Sequence, residues 1–187
     1  SSSRTLWRVQ VIPQRRRLGP SSLSAVPGRI TARPAKLRLP SARVDALVDD
    51  SRGMAMYLLD TDTVIYALKQ DQQVVRRFEE KVNQPKAISV VTYGELFHGA
   101  MKSAAPQANL AKVRRVVELF PVIDVSRAVM ETFGSLKADL QRFGKGIDDF
   151  DLVIASTSLV LNYAIVANNE RHFRNIPGLR VENWATP

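Results

Sequence analysis

Four residues able to bind a cation or work on a phosphoester stand at the borders of patterned segments. Asp60 closes the apolar run YLLD (57–60), and Glu95 lies within VTYGELFHGA (91–100). Asp151 opens the apolar stretch of DDFDLVIASTSLVLNY (148–163), and Asn169 follows YAIVAN (163–168). Carboxylates brought together in a partly buried pocket repel and are costly to desolvate, so they take up protons or bind a cation. The chain has no cysteine and two histidines, so any metal is held by oxygen or imidazole. All-oxygen donors suit Mg²⁺ or Mn²⁺ and leave room for phosphodiester hydrolysis. The competing reading makes these acids helix caps and surface charges, each acid gaining about 0.3–1 kcal/mol at a helix N-terminus. Capping accounts for one of Asp148, Asp149 and Asp151 but not for all three. Residue types alone leave both readings open.

The elements that must position these residues follow from periodicity. From Met56 onward, short β-branched runs alternate with longer helical patterns, which predicts βα units and a parallel sheet. The predicted strands are 57–60, 86–91, 121–125 and 163–168. Leu110, Val113, Val116, Val117 and Phe120 recur at helical spacing, as do Val129, Met130, Phe133, Leu136, Leu140 and Phe143, and each set is expected to bury one face on the sheet. The segment after Asp148 is apolar nearly all round, as a central helix would be. In an open parallel sheet, ligands bind beyond the carboxyl ends of the strands, and Asp60, Glu95, Asp151 and Asn169 all fall there.

The net charge of +9 over 187 residues suggests a nucleic-acid partner, but its distribution weakens that inference. Residues 1–43 carry ten cations and no acid, whereas residues 54–187 are close to neutral. The first 53 residues are rich in Ser, Arg and Pro and show no sustained period, so a disordered or non-native leader is expected, with the folded domain spanning 54–187. An organelle transit peptide, a nucleic-acid-binding tail and sequence upstream of the true start all fit; Met54 and Met56, just before the first strand, favour the last. Arg76 with Arg77, and Lys112 with Arg114 and Arg115, read as solvated helix faces. No apolar run approaches a membrane span, and the lack of cysteine suits a reducing cytoplasm.

Taken together, YLLDTDTVIYAL, SVVTYGELFHGA, DDFDLVIAS, AIVANNERHF and IPGLRVENW, in this order and covering residues 56–184, resemble the PIN-domain ribonucleases, and within them the VapC-type toxins of bacterial toxin–antitoxin pairs. The resemblance implies a three-layer α/β/α fold around a central, mostly parallel sheet, and metal-dependent endonucleolytic cleavage of RNA by metal-activated water. It places the family's acids at Asp60, Glu95 and Asp151, which would hold Mg²⁺ or Mn²⁺, and its fourth site residue at Asn169. Asp62 would stand behind them and add charge. Ala167 occupies a place where many relatives carry Thr, which points to a weaker site. The resemblance extends to a subgroup that includes initiator-tRNA cleavers, making tRNA a candidate substrate. It also implies a cognate VapB-type antitoxin and a homodimer. A PIN-fold scaffold with weakened catalysis, and a nuclease or phosphatase for another phosphoester, are the alternatives.

The remaining residues read plainly. His98 and His172 are not spaced as a pair and read as surface or packing residues, Asp148 and Asp149 as helix caps, and Trp184 as a C-terminal packing anchor. No Gly-rich phosphate loop and no Ser-His-Asp arrangement is present.

Overall fold

The computed structural model describes residues 55–186; the expected leader and the domain start at Met54 lie outside the described residues. Five strands build one sheet in the order β3-β2-β1-β4-β5, and every pairing is parallel. They are β1 (Tyr57–Leu59), β2 (Lys86–Ser89), β3 (Val122–Ile123), β4 (Ala164–Val166) and β5 (Val181–Glu182). The helices are α1 (Thr61–Leu68), α2 (Gln72–Glu80), α3 (Val90–Lys102), α4 (Pro106–Leu119), α5 (Arg127–Arg142), α6 (Asp149–Leu161) and α7 (Glu170–Phe173).

Alternation along the strands splits the interior into two cores. Tyr57, Leu59, Ile88, Ala164 and Val166 point to one face, where they meet Val64 of α1, Val74 and Phe78 of α2, Leu96 of α3 and Val113 and Val116 of α4. Leu58, Ala87, Ile165 and Ala167 point to the other, against Leu140 of α5, Leu152 and Ile154 of α6 and Phe173 of α7. Helices on both faces of a parallel sheet make the expected three layers. Trp184 is 2 % exposed and meets Tyr57 and Phe78 edge-on, at 5.1 and 5.0 Å between ring centroids, so it anchors the C-terminal end of the domain.

Several elements differ from their predicted bounds. The run 86–91 leaves the sheet after Ser89, whose Oγ accepts from Thr92 N at 2.9 Å and starts α3 at Val90. Capping by serine outweighs the strand preference of the Val90–Val91 pair. The predicted strand 121–125 shortens to two residues. Met130 and Phe143 were expected to be buried; they are 45 % and 77 % exposed, because Phe143 lies at the C-terminal cap of α5 and Met130 turns off the buried stripe marked by Val129 and Leu140.

Candidate metal centre at the carboxyl edge of the sheet

Asp60 immediately follows β1. Its N–H still donates to Val166 O of β4 at 3.0 Å, so the residue leaves the sheet only after being tied to that neighbour of the central strand. It occupies the N-cap position of α1, yet its side chain makes no capping hydrogen bond. The polar residues that start α2, α3, α5 and α6 behave differently. Asp71 accepts from Gln73 N and Val74 N, Ser89 from Thr92 N, Ser126 from Val129 N and Asp148 from Phe150 N. Asp60 is also 7 % exposed. Burial pushes its carboxyl up to about 7, partly offset by the Thr61 N–H, and the charges of Asp151, Asp62 and Glu95 push the same way as burial. Asp62, itself exposed, thus adds charge as expected.

Glu95 lies on α3, which β2 delivers to the same edge. Its Oε2 accepts from the hydroxyl of Thr61, the residue next to Asp60. Asp151 lies in the first turn of α6. That turn explains why three acids stand together: Asp148 caps the helix, accepting from Phe150 N at 2.9 Å; Asp149, expected to be a cap, pairs instead with Lys137 at 2.7 Å; and Asp151 faces the site. The first position of α6 projects outward here, toward Lys137 of α5.

Asn169 is at the N-cap position of α7 without capping it. Its Nδ2 lies 2.9 Å from Nε2 of His172, and Nδ1 of the same ring lies 2.5 Å from Asp151 Oδ2. His172 is on the surface as predicted, but it is not idle, and sequence reasoning missed its role. The available signal was its place three residues after Asn169, which puts both on one face of a helical turn. Asn168 is occupied structurally: its side chain donates to Tyr66 OH at 3.4 Å and its carbonyl accepts from Asn183. His98 is exposed on α3. Ala167 is fully buried in the second core.

The edge therefore carries two half-sites, Asp60 with Thr61 and Glu95, and Asp151 with His172 and Asn169, linked by the charges of Glu95 and Asp151 acting on Asp60. Among the described residues, no three His, Asp or Glu side chains form a ready-made metal cluster. Glu95 is held by Thr61 and Asp151 by His172. The donor chemistry nevertheless fits a hard divalent cation: the central carboxylate is buried and uncapped, and its charged neighbours on this edge are acids.

The basic clusters away from this edge are in part neutralised locally. Arg76 and Arg77 pair with Glu80, and Arg115 with Glu118. No helix among the described residues is long and apolar enough to cross a membrane.

Comparison with known proteins gives a consistent result. A family model described as the PIN domain matches residues 57–179. The chain is 34 % identical over 131 residues to the tRNA(fMet)-specific endonuclease VapC of Salmonella typhimurium, covering 70 % of this chain and 99 % of the relative. It is 38 % identical over 134 residues to the protein of that name from Shigella flexneri, covering 71 % and 100 %. Among solved structures, it resembles VapBC2 from Rickettsia felis bound to a DNA fragment from its promoter (TM-score 0.66, 32 % identity, 69 % of this chain and 98 % of that one). It also resembles the DNA-bound VapBC of Salmonella typhimurium (TM-score 0.65, 34 % identity, covering 70 % and 99 %).

Proposed function

The chain belongs to the PIN-domain family, and on that premise we propose that it is a VapC-type endoribonuclease, the toxin of a toxin–antitoxin pair, dependent on Mg²⁺ or Mn²⁺ and acting on RNA, with tRNA the favoured substrate class. The observation that carries the metal-dependent reading is Asp60: a buried, uncapped carboxylate at the tip of the central strand, raised to about 7 by burial and by three neighbouring acids. Asp60, Glu95 and Asp151 would hold the cation. When bound, it would supply Lewis-acid activation of the attacking water and stabilise charge on the phosphate. Asn169, beside Asp151 through His172, would complete the site as its fourth residue. A hollow of about 280 Å³ next to it is lined by Asn168, Asn169, Glu170, Arg171 and Arg174. Arg174 is paired with Glu170, and Arg171 is exposed, which suits contact with a neighbouring phosphate.

The VapB-type antitoxin is the expected partner, as in the VapBC complexes this chain resembles. A groove of about 330 Å³ between α1, α3 and α4, lined by Ile65, Leu68, Leu96 and Val113 and reaching Glu95, suits an apolar antitoxin segment that carries a basic side chain to the acids. Homodimer formation is part of the same reading, supported by Phe97 and Met101, exposed four residues apart on α3. The test is incubation of the full chain with total RNA and with purified tRNAs, with Mg²⁺, Mn²⁺ or EDTA, followed by mapping of the cut ends. Metal-dependent internal cleavage that Asp60→Asn abolishes is expected; equal cleavage in EDTA, or by the variant, overturns the proposal.

A further inference from the structure

We propose that His172 is a positioning residue of the acid edge, holding the Asp151 carboxylate with one ring nitrogen and, with the other, fixing the Asn169 amide so that its oxygen rather than its nitrogen is available to a cation. This inference rests on the endonuclease reading above. Its geometry is independent of it.

The argument begins with what each partner can do. The Asn169 Nδ2 that lies 2.9 Å from Nε2 of His172 is an amide nitrogen, which donates and cannot accept. Nε2 must therefore be the acceptor. The proton of the neutral ring then sits on Nδ1 and donates to Asp151 Oδ2 at 2.5 Å, where the carboxylate can only accept. Both contacts require the same tautomer. With the proton on Nε2 instead, two donors would face each other at Asn169, while Asp151 would face a lone pair.

The backbone makes this arrangement local and firm. His172 N–H donates to Asn169 O at 3.2 Å, so the two residues share one turn, and the adjacent Phe173, 1 % exposed, pins that turn to the second core. The consequence for Asn169 follows from amide chemistry. With Nδ2 committed to the ring, Oδ1 is the atom left for the acid edge, and only an amide oxygen can ligate a hard cation. An unanchored Asn169 could equally present its NH₂, which repels one. Partners that hold ligands from outside typically alter metal affinity or activity by about 10–100-fold when removed.

The test uses the full chain labelled with ¹⁵N-histidine, which contains two histidines, so His172→Gln assigns the remaining signal to His98. At pH 8 without metal, the His172 ring should show a protonated Nδ1 and a bare Nε2; a ring protonated at Nε2 overturns the proposal. With Asn169→Ala and Asp151→Ala combined both constraints on the ring are gone, and the pattern should relax toward that of exposed His98. Mn²⁺ titration of His172→Ala should show affinity about 10–100-fold weaker than that of the unmodified chain. Unchanged affinity in His172→Ala, when Asp60→Asn has lost binding, refutes the role of His172 alone. If Asp60→Asn also binds Mn²⁺ normally, the metal-site reading itself falls.

Discussion

Asp60 and Glu182 both stand at the carboxyl ends of parallel strands, Glu182 as the last residue of β5 and Asp60 just past β1, and their surroundings are opposite. Glu182 accepts from Tyr57 OH at 3.1 Å and from Trp184 Nε1 at 2.8 Å, and Lys81 Nζ lies 3.4 Å away. Lys81 also donates to Tyr57 OH at 2.8 Å, and that bond, more than the charge of Glu182, holds the ammonium above its usual range. Every member of this group meets a complementary partner. Asp60 has only the Thr61 N–H to favour its charge, against burial and three acids. Position at a strand end therefore does not distinguish a structural acid from a functional one. Glu182 arrives with its donors, whereas Asp60, on the function proposed above, is left to be completed by a cation from solution.

The largest test of this contrast is activity. Asp60→Asn should lower metal-dependent RNA cleavage by about 10²–10³-fold, because it removes an aligned anion from the reacting edge. Glu182→Gln should leave cleavage per folded molecule unchanged. Gel assays at matched folded fraction decide it, and a cleaving Asp60→Asn breaks the comparison.

Next in size is the dependence of stability on pH. Asp60 has a folded value of about 7 against an ordinary 3.8, so between those limits the folded chain holds the extra proton. The stability this gives is complete below 3.8 and is lost as pH rises through 7. At about 1.4 kcal/mol per unit, the loss amounts to at most about 4 kcal/mol. Denaturant midpoints in EDTA should therefore show Asp60→Asn gaining on the unmodified chain as pH rises from 4 to 8, and Mn²⁺ should narrow the gap. A midpoint for the variant below that of the unmodified chain at pH 8 would make Asp60 a structural acid like Glu182.

Smaller effects sharpen the other side. Glu182→Ala strands Lys81 and Trp184 Nε1 and should cost about 1–3 kcal/mol of folding stability without touching cleavage. Asp148→Ala removes only a cap and should cost about 1 kcal/mol, with Asp151 and activity unaffected. Urea unfolding of each variant, with RNA assays alongside, measures both.

Sequence patterning was informative where burial on two faces imposes long apolar runs. The first, second and fourth strands and the buried helix after Asp148 were all legible, and so was the end of the sheet beyond which Asp60 lies. It failed where a single hydrogen bond decides. The hydroxyl of Ser89 turns a β-branched strand into a helix start, and β5, two residues long, has too little pattern to detect. Helix α2 was passed over because Val74 and Phe78 alone mark its buried stripe. The role of His172 depends on a contact with Asp151, 21 positions away, that no local spacing encodes.

The strand order has a consequence for how the chain becomes active as it is made. β1 lies at the centre of the sheet, with Tyr57 beside both Lys86 and Ala164, so the second neighbour of the first strand leaves the ribosome only after most of the domain has been synthesised. Until β4 inserts, Asp60 lacks its Val166 anchor, and Asp151 and Asn169 have no fixed place beside it. Non-local parallel pairing of this kind also forms slowly. The acid edge therefore cannot assemble before β4 is in place, and a nascent chain carries the residues of the edge before it has the edge itself.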